Sequence, residues 1–125
     1  MKNVEVKFPV IADLKMDVAK KYGMIQPKAS TTQAVRAVFI IDPEAKIRAI
    51  LYYPQSSGRN MQEIKRLLTA LQKNEEEKVA TPANWQPGED VIVPPPSSME
   101  AVKERTGKPE ENMYCLDWFL CFKKR

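Results

Sequence analysis

Two thiols, Cys115 and Cys121, are the side chains of this 125-residue chain best suited to covalent chemistry. A thiolate is both a nucleophile and half of a disulfide, so such a pair can trade electrons internally or with an outside thiol. Histidine is absent, which excludes imidazole acid/base catalysis, a Ser-His or Cys-His nucleophile pair and His-ligated zinc within these residues. Two cysteines are also too few for a four-cysteine metal site or a secreted disulfide scaffold, so no metal and no cofactor is expected. Were residues 115–121 helical, the two sulfurs would be separated by about 9 Å of rise, beyond the roughly 7 Å Cα reach of a disulfide. A local Cys115–Cys121 bond therefore demands a non-helical turn. The competing reading makes both residues small buried hydrophobes in an aromatic tail. A third, a self-contained dithiol centre, suffers from the lack of a Cys-x-x-Cys spacing and of a helix N-terminus to activate either sulfur.

The elements that must position these groups are readable from pattern. Residues 4–11 read as a short edge strand, because Pro9 cannot donate to a central ladder. A helix over 15–22 follows, with Met16, Val18, Ala19 and Tyr22 at helical spacing and Gly23 as a left-handed stop, and then a loop over 24–30. The β-rich runs 34–41 and 47–53 flank Asp42-Pro43-Glu44-Ala45-Lys46, a turn with Pro in its second place, and so predict an antiparallel hairpin. Its first strand is apolar on both faces after Arg36, which predicts layers on each side. Arg36 itself, a cation at the start of an apolar strand, should point to an end of the sheet. Asn60 and Glu63 resemble a capping box opening a helix from Met61 to about Gln72, with Met61, Ile64, Leu67, Leu68 and Leu71 as its buried stripe. Residues 73–78 read as the solvated end of that helix.

Beyond residue 73 the composition changes, with six of the ten prolines and few regular elements, which predicts an extended arm. One short helix is expected after Ser97-Ser98, from Met99 to Arg105, with Gly107 ending it. The segment 113–122 is aromatic and apolar enough to require a docking surface. The division is therefore residues 1–73 and 74–125. A net charge of +4 comes from 20 basic and 16 acidic residues. They are intermixed, with no basic run interleaved with aromatics, so nucleic acid is not expected as a partner. No apolar run reaches the roughly 18 residues of a membrane helix and the N-terminus has no signal-peptide core, so a cytoplasmic protein without a membrane partner is expected.

Several stretches in this order resemble the peroxiredoxin family: Phe8-Pro9-Val10-Ile11-Ala12-Asp13, Tyr22-Gly23-Met24-Ile25, Val35-Arg36-Ala37-Val38-Phe39-Ile40-Ile41-Asp42-Pro43, Tyr52-Tyr53-Pro54, Gly58-Arg59-Asn60 and Pro82-Ala83-Asn84-Trp85. The one-cysteine type with a long C-terminal arm is the branch it resembles. The ending Tyr114-Cys115-Leu116-Asp117-Trp118-Phe119-Leu120-Cys121 is similar to archaeal and bacterial members with extra tail cysteines.

The resemblance implies an α/β chain: the C-terminal half of a thioredoxin-like fold (strand, helix, β-hairpin, helix), followed by a Pro-rich C-terminal arm. It implies a thiol peroxidase whose peroxidatic cysteine attacks a peroxide oxygen and becomes a sulfenic acid. The family's Pro-x-x-x-Thr-x-x-Cys motif does not occur in these 125 residues, so the chain alone is expected to be inactive. Arg36 matches the family's active-site arginine, which favours the thiolate and stabilises the departing oxygen. Arg59 matches a second arginine near the same pocket. Cys121 matches the cysteine that resolves the sulfenic acid of a partner subunit, and Cys115 is the possible second redox cysteine. Implied partners are a peroxide, a thiol reductant, and either a second copy of the chain or a peroxiredoxin subunit. The alternative function is a non-enzymatic assembly module, motivated by the unpaired edges of the hairpin.

Overall fold

The computed structural model describes residues 5–28, 33–107 and 111–125. It divides into two compact units, residues 1–59 and 60–125. The division expected after residue 73 falls inside the helix Met61–Glu77.

In the first unit, α1 (Asp17–Lys21) is shorter than the helix expected over 15–22. Its start is fixed from outside: the Asp13 carboxylate accepts the backbone N–H groups of Val18 at 2.9 Å and Ala19 at 2.8 Å, satisfying donors that a helix start leaves open. Gly23 takes the expected left-handed conformation, with φ of 64°, and ends the turn. Strands β1 (Arg36–Ile41) and β2 (Ile47–Tyr53) form the expected hairpin, with Arg36 opposite Tyr53 through Ile40 opposite Ala49 and, past a register shift between Ile40 and Ile41, Ile41 opposite Ile47. Its turn is organised by Asp42, whose carboxylate accepts the backbone N–H groups of Lys46 at 2.9 Å and Glu44 at 3.0 Å. The Lys46 bond foremost holds the Asp42 carboxyl below the usual carboxylate range. Tyr22 meets Phe39 edge-on at 5.0 Å, and Phe39 meets Tyr52 at 5.9 Å, so α1 is stapled to the hairpin by aromatic contacts.

Two expectations fail in this unit. Residues 5–12 form no strand, and Phe8, Val10 and Ile11 are exposed. Among the described residues the hairpin is a two-stranded sheet with no third strand to receive them, and Pro9 lacks a donor. Nor is β1 covered on both faces. Its residues are half-buried or exposed, because its apolar pattern calls for layers that the described residues do not supply. Of the expected loop over 24–30, residues 29 and 30 lie outside the described set.

The second unit begins with α2 (Met61–Glu77), which continues past Gln72 through the charged end expected over 73–78. The Asn60 side chain accepts from the backbone N–H groups of Gln62 at 3.0 Å and Glu63 at 3.2 Å. Glu63 is not turned back toward Asn60 as in a capping box. It binds the Arg66 guanidinium through two bonds of 2.6 and 2.8 Å, which lower its pKa. The expected stripe is partly covered: Ile64, Leu67 and Leu71 are half-buried, whereas Met61 and Leu68 are exposed. Ala70 is the fully buried residue of the helix, where a small side chain admits close approach. Ala70 joins Trp85 and Val91 in the core, with Val79 packed against them. The Trp85 indole N–H donates to the Glu89 carbonyl at 3.0 Å, and Arg66 donates to the Trp85 carbonyl at 3.2 Å. The large ring is thus buried with its polar handle satisfied.

Residues 74–125 do not run as an extended arm. Strand β3 (Val91–Val93), α3 (Met99–Gly107), β4 (Met113–Asp117) and β5 (Leu120–Lys123) assemble with α2, and the strands form an antiparallel sheet in the order β3-β5-β4. The prolines that signalled an arm, such as Pro82, Pro87 and Pro94–96, occupy the connections, where a missing N–H costs no ladder bond. The aromatic tail folds into a hairpin in which Tyr114 stacks on Phe122 at 5.3 Å, but Leu116, Trp118 and Phe119 stay exposed, so the surface expected to cover them is not supplied by the described residues.

Acidic side chains pin the end of this sheet. The Asp90 carboxylate accepts the Tyr114 hydroxyl at 3.2 Å and the Arg125 backbone N–H at 3.1 Å. Glu77, on the last turn of α2, binds the Arg125 guanidinium and the Lys73 ammonium. The Arg125 bond and then the Lys73 bond pull the Glu77 carboxyl from its ordinary 4.5 down to about 2. A carboxyl depressed in the folded state stabilises that state fully above its unfolded value and loses the contribution as pH falls toward the folded one. Titration from pH 5 to about 2, followed by aromatic near-ultraviolet dichroism, should therefore loosen the β4–β5 hairpin progressively. Glu77→Gln should flatten that dependence and weaken the hairpin at neutral pH. An unchanged acid profile in the variant would show that this clasp does not hold the strand.

Candidate functional site

Cys115 and Cys121 stand directly opposite each other on β4 and β5 and are joined by a disulfide, with their Cα atoms 4.0 Å apart. The non-helical turn that a local bond demands is present. Between the two strands, Asp117 accepts the Trp118 backbone N–H at 2.7 Å, and a register irregularity between Cys115 and Asp117 tightens the connection. Burial distinguishes the two sulfur-bearing residues. Cys121 is 0% exposed in the centre of the sheet, whereas Cys115 lies on an outer strand and is exposed. Buffer thiols thus reach the bond from the Cys115 side.

Arg36 begins β1, at the end of the sheet as expected of a cation entering an apolar strand. One arm of its guanidinium, Nη1, donates to the Ser57 carbonyl at 2.9 Å. Ser57 closes a turn onto the Pro54 carbonyl at 3.0 Å, so Arg36 ties its own strand end to the segment running into Gly58 and Arg59. The guanidinium remains exposed and has further N–H donors. Arg59 is exposed immediately before the Asn60 cap. The two arginines belong to the first unit and the two cysteines to the second. Each set has its own geometry: a backbone-anchored guanidinium in one, a facing thiol pair in the other.

The importance of the Ser57 carbonyl and of Glu77 and Asp90 was not visible in residue spacing. A backbone acceptor has no sequence signature, and the contact between Glu77 and Arg125 joins residues 48 apart. Among the described residues no group of His, Cys, Asp or Glu side chains could hold a metal ion, and no helix is long and apolar enough to cross a membrane.

Comparison with known proteins accounts for both parts of the chain. Residues 1–50 match the AhpC/TSA family and residues 70–108 match the C-terminal domain of 1-Cys peroxiredoxin. A peroxiredoxin of Methanosarcina mazei is 85% identical over 124 residues, covering 99% of this chain and 57% of the relative. A peroxiredoxin 2 of Caldanaerobacter subterraneus is 54% identical, covering 97% of the chain and 54% of the relative. Among solved structures, yeast mitochondrial 1-Cys peroxiredoxin superposes with a TM-score of 0.78 at 39% identity over 100% of this chain and 59% of that one. Peroxiredoxin 6 of Arenicola marina gives 0.77 at 36% identity over 98% and 58%. The chain spans little more than half the length of these relatives. With its mixed α/β fold and matches in both units, the chain is similar throughout its length to the C-terminal portion of peroxiredoxins.

Proposed function

We propose that this chain is the arginine- and resolver-bearing portion of a thiol-dependent peroxide reductase whose peroxidatic cysteine lies outside these residues. The observation that carries the reading is the facing Cys115–Cys121 pair at the end of a chain 85% identical to a peroxiredoxin. In the proposed reaction, a peroxidatic thiolate attacks one peroxide oxygen, forming a sulfenic acid and releasing the other oxygen as water or alcohol. Arg36, held by the Ser57 carbonyl, directs its remaining N–H donors and its charge at the thiolate and the departing oxygen. Arg59 adds positive charge to the same pocket. The Cys121 thiolate then attacks the sulfenic sulfur, a disulfide forms and hydroxide leaves, taking up a proton as water. An external thiol reduces that disulfide. Cys115 is the second redox cysteine, able to close onto Cys121 as the disulfide shows is sterically allowed.

In family terms we read residues 1–73 as the end of the thioredoxin-like domain and 74–125 as the dimerisation segment, working in the cytoplasm. The exposed apolar residues Ile41, Ile47, Ile50 and Tyr52 on the two-stranded hairpin favour self-association or pairing with a peroxiredoxin subunit. The assembly-module alternative stands on that surface alone.

The reading is tested by mixing the reduced chain with a full-length peroxiredoxin whose own tail cysteines are replaced by serine, adding one equivalent of hydrogen peroxide, and resolving the products without reductant. A mixed disulfide should form through Cys121, persist in Cys115→Ser and vanish in Cys121→Ser. The chain alone should not turn over peroxide. Turnover by the isolated chain at enzyme-like rates, or a mixed disulfide confined to Cys115, would overturn the assignment. After reduction, iodoacetamide should alkylate Cys115 well before Cys121, read by peptide mass, because only Cys115 is exposed. Light scattering should find an oligomer that survives reductant, since the proposed association surface lies in the first unit, which contains no cysteine. A monomer at high concentration would remove the association reading.

A further inference from the structure

One cavity of the second unit, apart from the cysteine pair, contains positive charge that its surroundings leave unbalanced. It has a volume of about 380 Å3, and its wall includes Lys78, Arg105 and Lys123 together with Glu77 and Glu104. The three cations arrive from three elements: the C-cap of α2, the last turn of α3 and the end of β5. Of the two acids, Glu77 is already engaged by Arg125 and Lys73. Glu104 adjoins Arg105 on the same helix, and consecutive helical residues do not face each other. Lys78 reaches Glu75 at 3.0 Å in an exposed pair, which screens it only weakly.

Arg105 is the informative member. Its Nη2 donates to the Pro94 carbonyl at 2.9 Å, which fixes the plane of the guanidinium. Its Nη1 is buried and has no hydrogen-bond partner. A buried donor without an acceptor carries the cost of its lost hydration, and Nη1 is closed off by protein atoms, so an acceptor entering the cavity reaches it once the guanidinium shifts toward that space. A water there would satisfy the donor and leave the charge. Neither Arg105 nor Lys123 has a carboxylate partner among the described residues, so the deficit is one of charge as well as hydrogen bonding.

We propose that this cavity binds a small oxyanion, a phosphate or sulfate group, with Arg105 as the forked donor and Lys123 and Lys78 completing the charge. A tetrahedral group presents several oxygens in different directions and can be reached at once from α2, α3 and β5. A guanidinium fixed in plane matches two of those oxygens.

The test is calorimetric titration of the full chain with inorganic phosphate at constant ionic strength, with sodium chloride as control. Saturable 1:1 binding is expected, weakened by about tenfold or more in Arg105→Gln, as for loss of a charge-assisted hydrogen bond. Lys123→Gln should weaken it too, and Arg105→Lys should restore part of it. Because α3 buries no residue, Arg105→Gln should keep its fold, which far-ultraviolet dichroism checks, and Lys123→Gln decides the matter independently. Glycerol 3-phosphate separates two sources of the same chemistry: affinity equal to that of phosphate points to an esterified phosphoryl group, and rejection of the ester points to the free ion. Heat no greater than in chloride, or binding unchanged in both variants, would overturn the proposal.

Discussion

The second unit depends on the position of β5 between β3 and β4. A middle strand must satisfy two registers at once, and here the same residues serve both: Cys121 lies opposite Val93 on one side and Cys115 on the other, and Lys123 opposite Val91 and Met113. A slip of one residue along either partner would turn Cys121 to the other face of the sheet, separating the sulfurs and removing Cys121 from the core. The thiol pair is therefore a consequence of the ladder. Contacts that hold the ladder, such as the Tyr114–Phe122 stack and the pinning of Arg125 by Glu77 and Asp90, hold the sulfur geometry as well.

The two units bury their apolar surface unequally. The second unites Ala70, Trp85 and Val91 in a core and also buries Cys121, whereas Ala19 is the one hydrophobic residue described as fully buried in the first. A two-stranded hairpin carries little stability by itself, and β1 has an apolar pattern suited to neighbours on each side. Its faces stay half-exposed because the described residues supply no layer on either side of it. The aromatic chain Tyr22–Phe39–Tyr52 and the Asp13 cap give this unit a local rigidity that burial alone would not.

Local chemistry was legible where it decides structure by itself. Pro43 in a turn, Gly23 as a left-handed stop and Asn60 as a cap act within a few residues, and each was readable from type and spacing. The strand assigned to 4–11 failed because a strand exists only with a partner. The prolines of residues 74–125 punctuate the region at its connections without preventing a sheet, so proline content does not mark an extended arm here. Val91–Val93 is too short to announce itself against its proline-rich flanks, and its pairing with residues 121–123 is a long-range fact. Within the α2 stripe Ile64, Leu67 and Leu71 are covered in part and Met61 and Leu68 are not, because the partner surface decides how much of an apolar face is covered. Arg36 was legible as a strand-end cation, but its anchor, a backbone carbonyl 21 residues away, was not.

Burial of Cys121 constrains any chemistry assigned to it. Disulfide exchange requires the attacking sulfur to approach its target in line, and a residue with no exposed surface cannot bring its sulfur to another subunit while the sheet is closed. Resolution by Cys121 thus entails opening of the β4–β5 hairpin, even after the bond to Cys115 is reduced. The cost of that opening resides in the stack of Tyr114 on Phe122, the ladder to β3 and the carboxylates around Arg125, none of which touches a sulfur. Cys115 is exposed in the closed sheet and meets no such barrier. The two cysteines, six residues apart in sequence, are therefore separated in accessibility by the strand each occupies: Cys115 is exposed on the outer strand, and Cys121 is enclosed in the middle one.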